Sequence, residues 1–314
     1  MNGVTRQELK ERQGWTLPQK IDHSLGVIDQ FLSRTEGKAY VSFSGGKDST
    51  VLLHLCRIIK PDIKAVFCNT GNEYPDIVRF VRNTENVQVV RPKITPNKVF
   101  ENYGFPLISK DVSEHLYIAK KYPNSKKGKE LISGTISTKY RHKIPDRGRF
   151  LLGKDFYCSH LCCAKLKKDP LKKYEKENNV HPIMGIMASE SNMRSTDYVH
   201  RGGCNVLEGG RVSSHPLSIW NEADIFSFID SQKLPIADIY AKGVTRTGCM
   251  FCGFGCYHKS NHSLQVVYDL YPKAYRTFMN RTNNGITYRE ALRCVMAVTG
   301  KYLPDEKPRD LFSL

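Results

Sequence analysis

The residues best suited to chemistry gather at Ser42-Phe43-Ser44-Gly45-Gly46-Lys47-Asp48-Ser49-Thr50. A short apolar run, Ala39-Tyr40-Val41, leads in, and Val51-Leu52-Leu53-His54-Leu55 leads out. That order predicts a strand, a glycine turn and a helix. Two glycines let the backbone approach an anion closely. A helix start just beyond them aims N–H groups and the positive end of its dipole at the same point. Lys47 adds a point charge, while Ser42, Ser44, Ser49 and Thr50 add hydroxyl donors. The stretch reads as a phosphate cradle. It is not the common nucleotide P-loop, which needs four residues between its first Gly and its Gly-Lys-Ser/Thr. Asp48 is placed either to help hold Mg²⁺ or to cap the helix.

The second chemical set is the cysteines. Ten occur in 314 residues. The N-terminal stretch is polar, without the apolar core of a signal peptide, and no run of about 18 apolar residues exists, so a cytoplasmic protein without a membrane span is expected. Disulfides are then disfavoured, and metal or redox chemistry is the better use of the thiols. Cys162-Cys163 and Cys249-x-x-Cys252 are two close pairs. Soft thiolates suit an iron–sulfur cluster or zinc.

The elements that must position these residues follow from periodicity. Residues 1–17 read as a loose arm, and Lys20–Arg34 as an amphipathic helix ended by Gly37. After the 39–42 strand come a helix over Ser49–Ile59, a strand over Ile63–Cys68, a helix from Asp76 to Arg82 and a strand over Val87–Val90. Strands alternating with helices argue for a parallel sheet with its ligand at the carboxyl ends of the strands. Asn97–Tyr103 and Ser113–Tyr122 read as short helices. A strand is expected at Ile183–Met184 and another at His215–Trp220, then a helix capped by Asn221. His262–Arg281 and Thr287–Thr299 read as helices. The expected division is an arm and helix at 1–36, an α/β domain at 37–245 with a basic insertion at about 110–156, and a Cys-x-x-Cys segment with a helical subdomain at 246–314.

Formal net charge is +17, and much of it is concentrated. From His115 to Lys173 there are 16 Lys and Arg against 4 Asp and Glu. A charge run is by default a solvated face. One this dense suits an anionic macromolecule, with a polyanionic small substrate or an acidic protein as the other readings.

Ser44-Gly45-Gly46-Lys47-Asp48-Ser49 resembles the PP-loop of the ATP pyrophosphatase superfamily. Those enzymes cut ATP between its α and β phosphates and hold the pyrophosphate in this loop. Further along, Thr70-Gly71, Cys162-Cys163 with Lys168-x-Pro170-Leu171, Glu190-Ser191-x-x-Arg194, Pro216-Leu217-x-x-Trp220, and Leu234-Pro235…Tyr240…Gly243…Arg246-x-Gly248-Cys249-x-x-Cys252 together resemble the PAPS/APS reductase family. The resemblance implies an α/β, doubly wound, mainly parallel sheet of the adenine nucleotide α-hydrolase type, with a helical C-terminal subdomain. It implies ATP or a related nucleotide at Ser42, Ser44, Gly45, Gly46, Lys47, Asp48, Ser49, Thr70 and Gly71. Glu190, Arg194 and Arg246 would serve the same site, the arginines on phosphates. The double-Cys…Cys-x-x-Cys pattern is similar to that of the iron–sulfur members, whose four thiolates hold a [4Fe–4S] cluster. Here they would be Cys162, Cys163, Cys249 and Cys252, with Zn²⁺ as the alternative. Cys256 could replace one ligand or carry sulfur.

Two features differ from the reductases. Their nucleophilic Cys lies in a Cys-Gly motif near the C-terminus, whereas this sequence has no Cys after Cys294. Reductases also usually carry degraded loops, whereas Gly45-Gly46-Lys47-Asp48 keeps the form of members that split ATP. Both point to ATP-dependent activation with Lys47 and Asp48 at the phosphates, Mg²⁺ as cofactor and Cys256 as candidate sulfur carrier. The expected function is an adenylating sulfurtransferase acting on nucleic acid, tRNA or DNA, and fed by a sulfur donor such as a cysteine desulfurase. A PAPS/APS reductase using Cys256 or Cys158, and a nucleotide- or nucleic-acid-binding member without turnover, are the other readings. A homodimer stays open.

Overall fold

A computed structural model describes residues 4–134 and 143–306. The chain divides into two compact units. The first is Met1–Asn69, Tyr74–Arg91 and Pro170–Thr247; the second is Thr70–Glu73, Pro92–Asp169 and Gly248–Leu314. This regroups the expected segments. The N-terminal helices pack with the phosphate-loop sheet, and the basic insertion packs with the Cys-x-x-Cys segment.

The first unit carries a six-stranded sheet. In spatial order its strands are Val87–Val90, Ala65–Cys68, Ala39–Ser42, His181–Ile183, Ser213–Ser214 and Asn205–Val206. All pairings are parallel except the last, which is antiparallel. This is the expected α/β, mainly parallel arrangement. The central strands are buried and apolar, as sheets covered by crossover helices require. Val41, Ala65 and Ile183 are fully buried, as are Val51, Leu52 and Leu55 of the Lys47–Ile59 helix.

Local chemistry explains where the first unit departs from expectation. Residues 6–13 form a helix, not a loose arm. Thr5 and Glu8 build a reciprocal capping box, and only Leu9 is buried. The expected strand at His215–Trp220 is a turn, and the sheet instead takes Ser213–Ser214. Pro216 removes a ladder donor. Trp220 is fully buried and donates its indole N–H to Ser24 Oγ at 2.9 Å. Asn221 and Asp224 cap the Glu222–Gln232 helix reciprocally.

The second unit is mostly helical. Its helices include Pro96–Tyr103, Lys110–Lys121, Lys126–Ser133, Ser263–Leu270, Pro272–Met279 and Tyr288–Ala297. The single helix expected over 262–281 is two, because Pro272 breaks it. The centre is aromatic. Phe105 meets Phe100 edge-on at 5.4 Å and Tyr288 at 5.1 Å between ring centres. Among the described residues, no helix is long and apolar enough to cross a membrane.

One buried ion pair ties the Leu17–Arg34 helix to the Glu222–Gln232 helix of the first unit. Lys20, 1% exposed, sits 2.6 Å from Asp224, 14% exposed. Removing one partner of such a pair strands the other charge, at a cost of about 3–5 kcal/mol. Lys20→Ala is therefore expected to destabilise the protein by that order in denaturant or thermal unfolding. Lys38→Ala, at an exposed pair with Glu36, should change little.

Candidate functional site

The phosphate loop follows the Ala39–Ser42 strand at the carboxyl edge of the sheet. Gly45 takes φ +71°, which glycine adopts at little cost. A Cβ there would also lie 2.7 Å from Val81 Cγ2 and 2.9 Å from Ile77 Cγ2. At Gly46 a Cβ would lie 2.9 Å from Thr247 Oγ1 and 3.3 Å from the Tyr240 hydroxyl oxygen. The backbone is held on both sides where only hydrogen fits. Gly46 is the N-cap of the Lys47–Ile59 helix.

Hydroxyls already meet several of the loop's donors. Ser44 N–H donates to Ser49 Oγ at 3.1 Å, Gly46 N–H to Ser44 Oγ at 3.3 Å, and Lys47 N–H to the Tyr240 hydroxyl at 2.8 Å. The Tyr240 hydroxyl in turn lies 3.0 Å from Thr247 Oγ1. The sequence reading expected free N–H groups. Instead, three of them donate to side-chain hydroxyls.

Lys47 is buried, with its ammonium 3.1 Å from Glu222 Oε1, 3.4 Å from Asp48 Oδ1 and 5.5 Å above the Phe226 ring. Burial works to lower its pKa, but Asp48 and Glu222 outweigh that and raise it. The lysine is charged. Burial raises the Asp48 carboxyl, Lys47 opposes that, and Glu190 adds to it. Asp48 Oδ1 is buried without a hydrogen-bond partner among the described residues. That carboxylate oxygen, paired only with the Lys47 ammonium, is a donor suited to a hard cation.

Glu190 gathers the two expected arginines. Arg194 Nη1 pairs with its Oε1, and Arg246 Nη2 donates to its Oε2 at 2.8 Å. The guanidiniums stay partly solvent-facing at 36% and 69% exposure, whereas Glu190 is 15% exposed. Glu190 thus holds both guanidiniums side by side. Ser42 ends its strand, half-buried. Sequence reasoning did not single out Glu222, and it read Tyr240 only as one motif member. Tyr240 lies 193 residues from Lys47, and no local pattern announces that contact.

In the second unit, Thr70 and Gly71 form a self-bonded turn. Thr70 N–H and Oγ1 donate to the Glu73 carboxylate at 2.9 and 2.7 Å, and Gly71 takes φ +80°. The same unit gathers the cysteines. Residues 105–108 lie between the two pairs. Phe105 exchanges hydrogen bonds with Tyr157 and Ser159, just before Cys162. Leu107–Ile108 pairs in parallel with Gly253–Phe254, just after Cys252. A Cβ on Gly253 would lie 2.4 Å from Pro106 O, so the approach requires glycine. Cys162 and Cys163 end a short helical turn that continues as a π-helical turn at Ala164–Lys168, a form frequent at functional sites.

The four thiols sense one another. A hydrogen bond between Cys162 and Cys163 raises the Cys162 thiol and lowers that of Cys163, which Lys110, Lys167 and Lys168 lower further. Cys249 and Cys252 also raise Cys162. Burial pushes the Cys252 thiol up to about 11 and that of Cys249 up to about 12, although the Cys249 residue is itself exposed. Among the described residues, no three His, Cys, Asp or Glu side chains stand where they could hold a metal ion as they are. A tetrahedral zinc needs four sulfurs about 2.3 Å from one point. A cluster spreads its thiolates over several irons. Four soft thiolate donors in one unit suit a cluster by their chemistry.

Cys256 is a different case. It is 1% exposed, and burial pushes its thiol up to about 12. Cys158 is equally buried, with its thiol up to about 12. Reactive cysteines are accessible and readily ionised. Neither side chain is poised as the nucleophile or sulfur carrier expected from the sequence.

Residues 38–254 match the family described as the phosphoadenosine phosphosulfate reductase domain. The chain belongs to that family. Membership agrees with the PP-loop and with the parallel sheet. An uncharacterised protein of Methanocaldococcus jannaschii is 24% identical over 271 residues, covering 84% of this chain and 46% of that protein. The chain spans about half the length of the two M. jannaschii relatives it matches. An adenosine 5'-phosphosulfate reductase of Halalkalibacterium halodurans is 21% identical over 236 residues, covering 73% of this chain and 80% of that protein. Among solved structures, phosphoadenylyl-sulfate reductase from Candida auris in a phosphate complex aligns with a TM-score of 0.42 at 14% identity, covering 78% of this chain and 96% of that one.

The loop geometry gives a direct test. Gly45→Ala adds a left-handed penalty of about 1–2 kcal/mol to the contacts with Val81 and Ile77. Thermal unfolding should fall accordingly, and phosphate or nucleotide affinity should fall with it. An unchanged melting temperature would contradict the packing described.

Proposed function

We propose that this family member activates an acceptor with ATP, releases pyrophosphate, and transfers sulfur to the activated position. One observation carries the reading. The phosphate loop is complete, with a charged, buried Lys47 and an Asp48 carboxylate oxygen lacking a hydrogen-bond partner. A nucleotide already activated as a phosphosulfate has no β,γ-pyrophosphate for Lys47 to hold. ATP has one.

In this reading the loop N–H groups and the Lys47–Ile59 helix start take the β and γ phosphates. Ser44, Ser49 and Tyr240 give up their hydrogen bonds to phosphate oxygens. Asp48 would hold Mg²⁺, which neutralises phosphate charge when bound. Arg194 and Arg246, held by Glu190, orient the remaining phosphate oxygens. The acceptor oxygen attacks the α-phosphorus, and its bond to the β-bridging oxygen breaks. Lys47 and the N–H groups stabilise the departing pyrophosphate, as preorganised donors do in phosphoryl-type transfers. Sulfide then displaces AMP, which leaves with the acceptor oxygen. A persulfide donor would need a thiol reductant as well. Cys162, Cys163, Cys249 and Cys252 would hold the [4Fe–4S] cluster, which supplies a soft site for sulfur. The lysine-rich second unit favours a nucleic-acid acceptor. The named relatives favour a second reading, reduction of a sulfonucleotide.

Pyrophosphate release decides between them. Wild-type protein with ATP, Mg²⁺ and acceptor should release pyrophosphate, and Lys47→Ala should lower the rate by at least roughly a hundredfold. Thioredoxin-dependent sulfite formation from a phosphosulfate, without ATP cleavage, would replace this reading by the second. Independently, anaerobically purified protein should be brown and contain iron and acid-labile sulfide. Cys162→Ser and Cys249→Ser should each lose most of both, whereas Cys56→Ser, in the first unit's core, should keep them. A colourless, zinc-loaded protein would remove the cluster.

A further inference from the structure

A group of tyrosines in the second unit is used by neither the phosphate loop nor the cysteine centre. Tyr117, on the Lys110–Lys121 helix, lies 6.2 Å from Tyr157 between ring centres, tilted by 58°. Lys120 Nζ sits 5.2 Å from the centre of the Tyr157 ring. It also donates to the carbonyls of Lys154 and Phe156. Tyr122 follows Tyr117 as the C-cap of the same Lys110–Lys121 helix, and Tyr103 ends the neighbouring Pro96–Tyr103 segment of the second unit. Tyr122 is 54% exposed, and the other three are partly exposed. Lys121, Lys126 and Lys127 are exposed beside Tyr122, and Lys165 is within electrostatic reach of Tyr103.

A buried tyrosine usually finds a partner for its hydroxyl. Here none of the four hydroxyls has a hydrogen-bond partner among the described residues. These rings are not spent on the core. Partly open rings interleaved with lysines match what unpaired bases need, which is faces to stack on and cations along the backbone. A duplex keeps its bases stacked inside. An acidic protein would use the lysines and leave the rings idle.

We infer that the Tyr117–Tyr157 pair and the exposed Tyr122 that follows on the same helix, with Lys121 and Lys126 beside it, bind single-stranded nucleic acid. Bases stack on the exposed rings, and the lysines hold the phosphates. The inference rests on the nucleic-acid reading above and adds the strandedness of the partner and the surface that takes it.

The test is fluorescence anisotropy on the full chain with a labelled single-stranded RNA of about 12 nucleotides, the matching duplex, and polyglutamate as competitor. The single strand should bind at least roughly tenfold tighter than the duplex. Tyr122→Ala should weaken it roughly tenfold, and Tyr122→Phe should not. Lys121→Ala with Lys126→Ala should weaken strand and duplex alike and flatten the salt dependence. Equal affinity for strand and duplex, full competition by polyglutamate, or a silent Tyr122→Ala would each overturn the proposal. Photocrosslinking a 5-iodouridine strand to the wild-type protein needs no variant: adducts on these tyrosines support the site, and adducts confined to other surfaces overturn it. Pyrophosphate assays run without RNA keep the outcomes separate, because a strand can bind here even if ATP is never cleaved.

Discussion

The phosphate loop depends on a steric constraint at two adjacent glycines. Val81 and Ile77 close one side of Gly45, and Thr247 and Tyr240 close one side of Gly46. The loop cannot widen without displacing a helix, and it cannot accept a side chain. Its path therefore fixes where the Lys47–Ile59 helix begins and where the Lys47 ammonium rests. Glu222 and Phe226, both on the Glu222–Gln232 helix, then hold that ammonium. The buried Lys20–Asp224 pair anchors the same helix. Stability of the first unit and placement of Lys47 are thus one problem.

The second unit solves a different one, which is to bring together cysteines separated by most of a hundred residues. Residues 105–108 do this by bonding to the chain on both sides. Ile108 takes φ +63°, an unfavourable conformation for a β-branched residue, yet it is 2% exposed and accepts a hydrogen bond from Gly255 N–H at 2.8 Å. Strain of this sort persists only where surrounding contacts over-determine it. Here they include the Gly253 approach, the tilted Phe105–Tyr288 ring contact, and the Tyr288 hydroxyl, which donates to Phe251 O at 2.9 Å.

Much of this was readable in the sequence because its causes are local. The strand–glycine–helix order at 39–59, the Asn221 cap and the paired cysteines each announce themselves within a few residues. The misses share the opposite property. The capping box at Thr5 and Glu8 begins a helix too polar for an apolar periodicity to reveal. Pro272 divides a helix whose hydrophobic pattern runs on across it. The turn at 215–220 looks like a strand because its apolar residues serve the core through Trp220. Tyr240 and Glu222 act on the loop from remote positions in the chain, and only folding brings them there. The burial of Cys256 and Cys158 is likewise a tertiary fact.

Tyr240 has one further consequence. Its hydroxyl accepts the Lys47 amide hydrogen bond, the bond that a phosphate oxygen would accept under the proposed function. Binding is then an exchange of one hydrogen bond for another, with little enthalpy to be gained from that amide. What a phosphate adds beyond the hydroxyl is charge, felt by Lys47 and the helix start. Under that proposal the loop would discriminate by valence, favouring multiply charged tails over neutral sugars and nucleosides. Ionic strength, more than temperature, should then govern how full it is.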